Sequence, residues 1–157
     1  MSEVVKAQKA ATPEMRSKVF MLEQRMKEGE KEGRFDLYEL PVKHHFSQGV
    51  YGREMFIPKG TIVTGHIHKY TQLNVLVSGD LSVLTEDGVK RVKPPFVVVS
   101  PPGTKRVAYA HEDSIWLTVH SVGDETDIEK IESKFIAKNE TEYLEFVDKQ
   151  KQLESKP

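Results

Sequence analysis

His66 and His68, with Gln72 four residues further on, are the first side chains in this sequence whose types and spacing suggest chemistry. On an extended strand alternate side chains share a face, so the two imidazoles would point the same way, about 6–7 Å apart. Two imidazoles at that spacing can converge on one metal ion or one anion. Gln72 follows the short Lys69-Tyr70-Thr71 connection, and its amide oxygen can face them from the next strand. As a neutral oxygen donor it can complete such a site, or hydrogen-bond to an imidazole and set its tautomer. Alternation places Asn74 on the Gln72 face and puts Tyr51 and Arg53 together on one face of the preceding strand. His120 shares a face with Trp116 and Thr118, and alternation leaves open whether that face points inward.

The remaining candidates are weaker. His44 and His45 are adjacent and face opposite sides of any strand, so they cannot chelate jointly and are read as structural. His111 precedes Glu112 and Asp113 and is expected in a solvated turn. Ser82, Ser100 and Thr118 have no nucleophile–base–acid pattern around them, which leaves a hydrolase triad unsupported. The chain has no cysteine, so disulfides, thiolate metal sites and a thiol nucleophile are excluded together.

Short runs of strand character must position these residues, each closed by Gly, Pro or an acidic turn. They are 42–46, 50–57, 61–68, 72–77, 81–85, 89–92 and 96–100, followed by a hairpin of 106–111 and 115–120 across His111-Glu112-Asp113. Glu86-Asp87-Gly88 reads as a tight hairpin turn. Many short strands without intervening helices predict a sandwich or barrel. At the N-terminal end Thr12-Pro13-Glu14 supplies an N-cap, a proline at the first helical position and an acid in the first turn. Met15, Val19, Leu22 and Met26 give that helix an apolar stripe, to pack on the barrel or on a second subunit, and the glycines of EGEKEG should end it. A short helix is expected over 126–135, and Asn139 with Glu142 forms a capping box for another.

The stretch from Gly60 to Gly79, GTIVTGHIHKYTQLNVLVSG, resembles the first motif of the cupin superfamily, Gly-x5-His-x-His-x3/4-Glu-x6-Gly, with Gln72 where Glu is usual. A second motif, Gly-x5-Pro-x-Gly-x2-His-x3-Asn, has its counterpart in PFVVVSPPGTKRVAYA, residues 95–110. Pro101 and Gly103 match, whereas Pro95, Arg106 and Ala110 stand in place of Gly, His and Asn. The resemblance covers about residues 42–120. It implies a mainly β fold, the double-stranded β-helix or jelly-roll barrel, with an N-terminal extension over 1–41 and a C-terminal helical extension over 121–157. The chain is also similar, more loosely, to short cupin-type proteins of phage and prophage genomes.

The resemblance makes His66, His68 and Gln72 the candidate ligands of one divalent ion (Zn, Fe, Mn or Ni), and it points Arg106 inward, where a guanidinium cannot ligate a metal but can grip a carboxylate or phosphate through its fork. Arg106, Asn74, Tyr51 and His120 are the candidate ligand-binding residues. Three readings follow: a metal-bearing pocket, a metal-free anion pocket, and a structural barrel without ligand. The favoured expectation is binding of a small, anionic molecule; the alternative is a metal-dependent enzyme of dioxygenase, isomerase or epimerase type. With 23 Lys+Arg against 24 Asp+Glu and the basic residues scattered, no footprint for nucleic acid or anionic membrane is expected. The absence of a long apolar run or a secretion-type start predicts a cytoplasmic protein. Pairing into a homodimer through sheet edges and terminal extensions is expected, because exposed edge strands must be covered.

Overall fold

The computed structural model describes residues 2–6 and 8–156. Helix α1 (Pro13–Lys31) is followed by strands β1 (Val42–Ser47), β2 (Gly49–Ile57), β3 (Ile62–Thr64), β4 (Ile67–His68), β5 (Gln72–Thr85), β6 (Gly88–Val92), β7 (Phe96–Ser100) and β8 (Val107–Gly123). Helix α2 (Ile128–Phe135), strand β9 (Ile136–Ala137) and helix α3 (Glu140–Glu154) complete the chain. One antiparallel sheet runs β1-β2-β8-β5-β6, with β3 also on β8 and β7 also on β5, while β4 and β9 form a second, two-stranded sheet. The mainly β, jelly-roll class with flanking helices is therefore what the chain adopts. No helix among the described residues is long and apolar enough to cross a membrane.

The caps form as their residues dictate. Thr12 Oγ1 accepts from the Met15 amide, Asp127 accepts from Glu129 and Lys130, and Asn139 accepts from Glu142. Helix α1 runs through Gly29, whose missing side chain leaves room for the Phe35 ring, and stops before Gly33, which has φ of +72°. Of its apolar stripe, Val19 is buried and Met15, Leu22 and Met26 are half-buried. Phe20 packs with Tyr143 and Ile67, and the Arg16 guanidinium is held by Glu140, by the Gly103 carbonyl and by the Tyr143 ring.

Three expectations about strands are corrected. The run over 61–68 is not one strand, because the chain leaves the large sheet after Thr64 and re-enters as β4 against β9. The hairpin across His111-Glu112-Asp113 does not exist either: β8 continues through these residues for 17 positions. Likewise 72–77 and 81–85 are halves of a single 14-residue β5, joined at a bulge around Gly79. The Glu86-Asp87 turn does connect β5 to β6, with Thr85 paired to Gly88.

The inner face changes character along β5 and β8. At one end Ile57, Leu76, Leu81, Val83, Ala108 and Ala110 form an apolar core, closed by Met55, Phe96 and Trp116. Toward the other end the same strands turn buried polar groups inward, Gln72 and Asn74 from β5, Thr118 and His120 from β8, and Ser100 from β7. Burying hydroxyls, amides and imidazoles beside an apolar core costs stability unless they are partnered, so this half is where function is to be sought.

Candidate functional site

The two motif segments are zipped together by their backbones. The Gly65 amide donates to the Arg106 carbonyl at 2.9 Å, the His68 amide to the Thr104 carbonyl at 3.1 Å, and the Gly103 amide to the His68 carbonyl at 2.8 Å. This sets Gly65 opposite Arg106 and His68 opposite Gly103 and Thr104. Gly103 is required at the turn because its φ is +83° and an added Cβ would lie 2.7 Å from the Tyr143 hydroxyl and 2.8 Å from Arg16 Nη1.

Across the inner face a polar relay runs from strand to strand. Arg106 Nη2 donates to Ser100 Oγ, which also accepts from Asn74 Nδ2 at 2.9 Å. Asn74 Oδ1 in turn accepts from Thr118 Oγ1 at 2.9 Å and from Trp116 Nε1 at 3.3 Å. Thr118 is paired with Arg53 of β2, which brings a second guanidinium to the same face. The contact of Arg53 among the described residues is a long one, 3.8 Å to Met55 Sδ. Arg106 Nη2 has a second acceptor in Gln8 Oε1, at 2.7 Å, from an N-terminal segment whose Gln8 amide donates to the Val99 carbonyl. A cavity of about 150 Å³ lies on that side, lined by Gln8, Arg16, Glu86, Gly103, Lys105 and Arg106 among others.

The imidazoles belong to a column of stacked rings. Phe46, Tyr51, His120 and His68 follow one another at centroid separations of 5.0, 6.1 and 6.0 Å, with interplanar angles of 23°, 18° and 17°. His120 thus faces the interior, packed also on Phe135 of α2. The Tyr51 hydroxyl shares a 2.6 Å hydrogen bond with His44 Nδ1, so His44, read from the sequence as structural, is tied to this column at its second ring. His66 lies apart from the column, exposed at the mouth.

The electrostatics disfavour further positive charge. Burial, then the neighbouring His120 and His66, then Arg53 and Arg106, lower the pKa of His68 to about 3. Burial, with a smaller effect of Arg53, lowers that of His120 to about 4. His66 is also lowered, first by the walls that remove water from part of its ring and then by Lys105 and Arg53, with Glu132 and Glu23 opposing. Burial lowers the pKa of Arg106 to about 10, which leaves it a cation near neutral pH. Neither Arg53 nor Arg106 makes an ion pair with a carboxylate among the described residues, in contrast to Arg16 with Glu140 and Lys105 with Glu23.

Three buried side-chain polar atoms among the described residues have no hydrogen-bond partner in the protein, namely His68 Nδ1, Gln72 Oε1 and Arg106 Nε. Gln72 is paired with Ser100, which also accepts from Arg106, and Arg106 is among the charges that lower the pKa of His68, so all three lie in the polar half of the barrel. Of the sequence candidates, His68, Gln72, Asn74, Tyr51, Arg106 and His120 all reach the inner face, while His66 stands at its rim.

This donor set does not fit a divalent ion. No group of three or more His, Cys, Asp or Glu side chains among the described residues could hold a metal. The neutral donors His68 and Gln72 offer no anionic ligand, and the two guanidiniums that oppose a proton on His68 oppose a dication there for the same reason. A hydroxyl–imidazole pair does occur elsewhere, Ser82 with His111 at 2.7 Å, which removes His111 from the expected turn. No carboxylate among the described residues is hydrogen-bonded to it, and nearby Asp80 is held by Arg91 and Lys93.

No protein-family model and no curated protein matches this chain. Among solved structures it is similar to an uncharacterised conserved protein with a double-stranded β-helix domain from Klebsiella pneumoniae, at 17% identity over 68% of this chain and 85% of that one, with a TM-score of 0.48. KdgF from a Halomonas species is similar at 19% identity over 59% and 91% of the two chains, with a TM-score of 0.46. A cupin-2 domain-containing protein from Shewanella frigidimarina is similar at 12% identity over 65% and 99%, with a TM-score of 0.44.

Proposed function

We propose that this chain is a cupin-type binding protein whose barrel interior holds a small organic anion, a carboxylate or a phosphate, without a metal. The observation that carries the reading is that His68, Gln72 and Arg106 each leave a buried polar atom unpartnered, in a half of the barrel with two guanidiniums that make no ion pair with a carboxylate among the described residues. A buried cation without a counter-charge is costly, and an anion removes that cost while satisfying the orphaned groups. Arg106 Nε and the imidazole Nδ1–H of His68 are donors to such a ligand, and a half-turn of the Gln72 amide replaces Oε1 by a third. The Ser100–Asn74–Thr118 relay orients the Arg106 guanidinium, and a ligand that takes its fork at Nε and Nη2 displaces Gln8 Oε1. The enzymatic alternative requires a metal with an open coordination position, and the donor chemistry weighs against it.

The test is thermal unfolding of the full chain with inorganic phosphate, acetate, malonate, succinate and glutarate as probes. At least one should raise the melting temperature of the wild type and have no effect on Arg106→Ala, with Arg106→Lys recovering only part, because an ammonium cannot reproduce the fork. Charge-assisted hydrogen bonds of about 1.5–3 kcal/mol correspond to roughly a 10- to 100-fold loss of affinity. A wild type indifferent to every probe, or Arg106→Ala responding as fully as the wild type, sinks the reading.

A further inference from the structure

The N-terminal segment from Gln8 to Thr12 crosses the outside of the barrel as a strap held by polar contacts at its two ends. At one end the Gln8 amide donates to the Val99 carbonyl of β7, and Gln8 Oε1 accepts from Arg106 Nη2. At the other end Thr12 takes both oxygens of the Glu86 carboxylate, in the turn between β5 and β6, one through its amide at 3.1 Å and one through its hydroxyl at 2.9 Å. Between them Lys9 pairs with Asp87 at 3.6 Å, with both side chains largely exposed. No residue of the strap is buried: Lys9 and Ala10 are exposed, and Gln8, Ala11 and Thr12 are half-buried. Between strap and barrel wall lies the cavity of about 150 Å³, room for a molecule about the size of benzene, so the segment spans a gap and does not pack down on the wall.

We infer, resting on the anion-binding reading above, that this strap is a gate: Gln8 holds on Arg106 the place of the ligand's oxygen, the anion enters through the side cavity, and its arrival releases the segment. Arg106 lines the cavity and also reaches Ser100 inside the barrel, so a molecule in the cavity meets the same guanidinium. Of the cations lining it, Lys9 is paired with Asp87, Arg16 with Glu140 and Lys105 with Glu23, which leaves Lys90 and Arg106 without a carboxylate partner among the described residues. The lining acid Glu86 is turned to Thr12. Of the two acceptors on Arg106 Nη2, Ser100 Oγ is fixed by Asn74 Nδ2, whereas Gln8 hangs on a segment with little to hold it, so Gln8 is the one that yields. A neutral amide oxygen is also a weaker acceptor for a guanidinium than a carboxylate or phosphate oxygen. Once Gln8 Oε1 leaves, the strap keeps only its surface bonds to Val99, Asp87 and Glu86, and bonds of that kind open readily. Strap closure and ligand binding thus compete for one donor, and by linkage each weakens the other.

Thr12→Asp separates a gate from a simple chain end. Aspartate caps α1 as well as threonine does, so the helix is kept, but it cannot donate to Glu86 and sets a second carboxylate against it. In isothermal titration calorimetry with the most strongly stabilising of phosphate, acetate, malonate, succinate and glutarate, the variant should bind about tenfold more tightly than the wild type, the low end for loss of a hydrogen bond to a charged group. Electrostatics by itself predicts the opposite, because the substitution adds a negative charge beside an anion site. In the wild type, the heteronuclear NOE of the Gln8, Lys9 and Ala10 amides should fall as the probe saturates, while that of the β5 amides holds. Unchanged or weaker binding by Thr12→Asp, or strap amides that stiffen on saturation, overturns the gate and leaves the anion site standing. If no probe binds either protein, the anion reading falls and the gate with it. Should the far-UV spectrum show that Thr12→Asp has lost helix, the wild-type relaxation decides.

Discussion

Acid should destabilise this protein through its interior imidazoles, by an amount that can be worked from their environment. His68 and His120 have pKa values of about 3 and about 4 in the folded chain, against 6.5 for an unperturbed imidazole. Both are lowered, so the folded state prefers the neutral rings and the unfolded state binds more protons between those limits. The stabilisation from neutral rings is therefore complete above about pH 6.5 and is lost as pH falls toward 4 and 3. pH 5 lies about 1.5 units below the unfolded pKa and above both folded values, so each ring costs about 2 kcal/mol there at 1.36 kcal/mol per unit, or about 4 kcal/mol for the two. That is a large share of the 5–15 kcal/mol typical of a domain.

The assay is urea unfolding at pH 7.5 and pH 5.0, followed by the fluorescence of Trp116, the single tryptophan. Carboxylates elsewhere also titrate, so the comparison is with His68→Asn/His120→Asn, in which neither ring remains. The wild type should lose about 4 kcal/mol more than the double variant over this interval, whatever the two stabilities are at pH 7.5. Equal losses would refute the claim that these rings are held neutral beside Arg53 and Arg106. A saturating anion probe should flatten the slope of the wild type alone, since a negative charge beside His68 offsets the guanidiniums.

Arg16→Ala should cost about 3 kcal/mol or more in urea unfolding, because it strands the Glu140 carboxylate and removes the guanidinium from the Gly103 carbonyl and the Tyr143 ring; Arg16→Met with Glu140→Gln should recover much of that loss. Gln8→Ala should tighten binding of whichever probe Arg106 recognises, measured by isothermal titration calorimetry, since Gln8 Oε1 shares the Arg106 guanidinium with any ligand; weaker binding would mean that Gln8 helps to orient the ligand instead.

The strands were legible in the sequence, and the two false breaks have one cause. Ser78-Gly79-Asp80 looks like the end of a strand, and His111-Glu112-Asp113 looks like a turn, because both are polar clusters between apolar runs. In the fold they face each other, Ser78 paired with Ile115 and Asp80 with Glu112, and together they are one bulge in two long strands. Gly79 has φ of +105°, and an added Cβ would lie 2.0 Å from Ser114 Oγ, so the glycine serves close approach of neighbouring strands rather than a chain reversal. The Ser114 hydroxyl then donates to the Glu112 carbonyl and accepts from the Asp80 amide. The bulge also shifts the phase of β5, whose inner residues are Gln72, Asn74 and Leu76 before it but Leu81 and Val83 after it. No alternation count along β5 survives that shift.

The same physics divides the candidate site into what sequence could and could not reach. Gln72 with Asn74 and Tyr51 with Arg53 lie within uninterrupted strands, so period-two reasoning placed each pair on one face, and each pair does face inward. His66 and His68 were paired by the same reasoning, but the chain leaves the sheet at Gly65, and a residue outside a strand has no obligation to the alternation; one ring points in and the other stands at the mouth. The direction of His120 is set by its pairing with Tyr51, a contact 69 positions away in sequence that no local pattern contains. Gln8 touches Arg106 for an equally non-local reason, whereas His44 reaches Tyr51 across the β1–β2 hairpin, and nothing in their surroundings marks either. Arg106 is the instructive residue. A cation in place of a ligand could have meant a surface arginine, yet the backbone bonds that zip 103–106 to 65–68 leave its side chain the interior, and an interior that keeps its imidazoles neutral has its fixed charge in Arg53 and Arg106. Selectivity for the proposed anion would then follow from what this half of the barrel excludes, namely protons on its histidines and cations near them, as much as from what it donates.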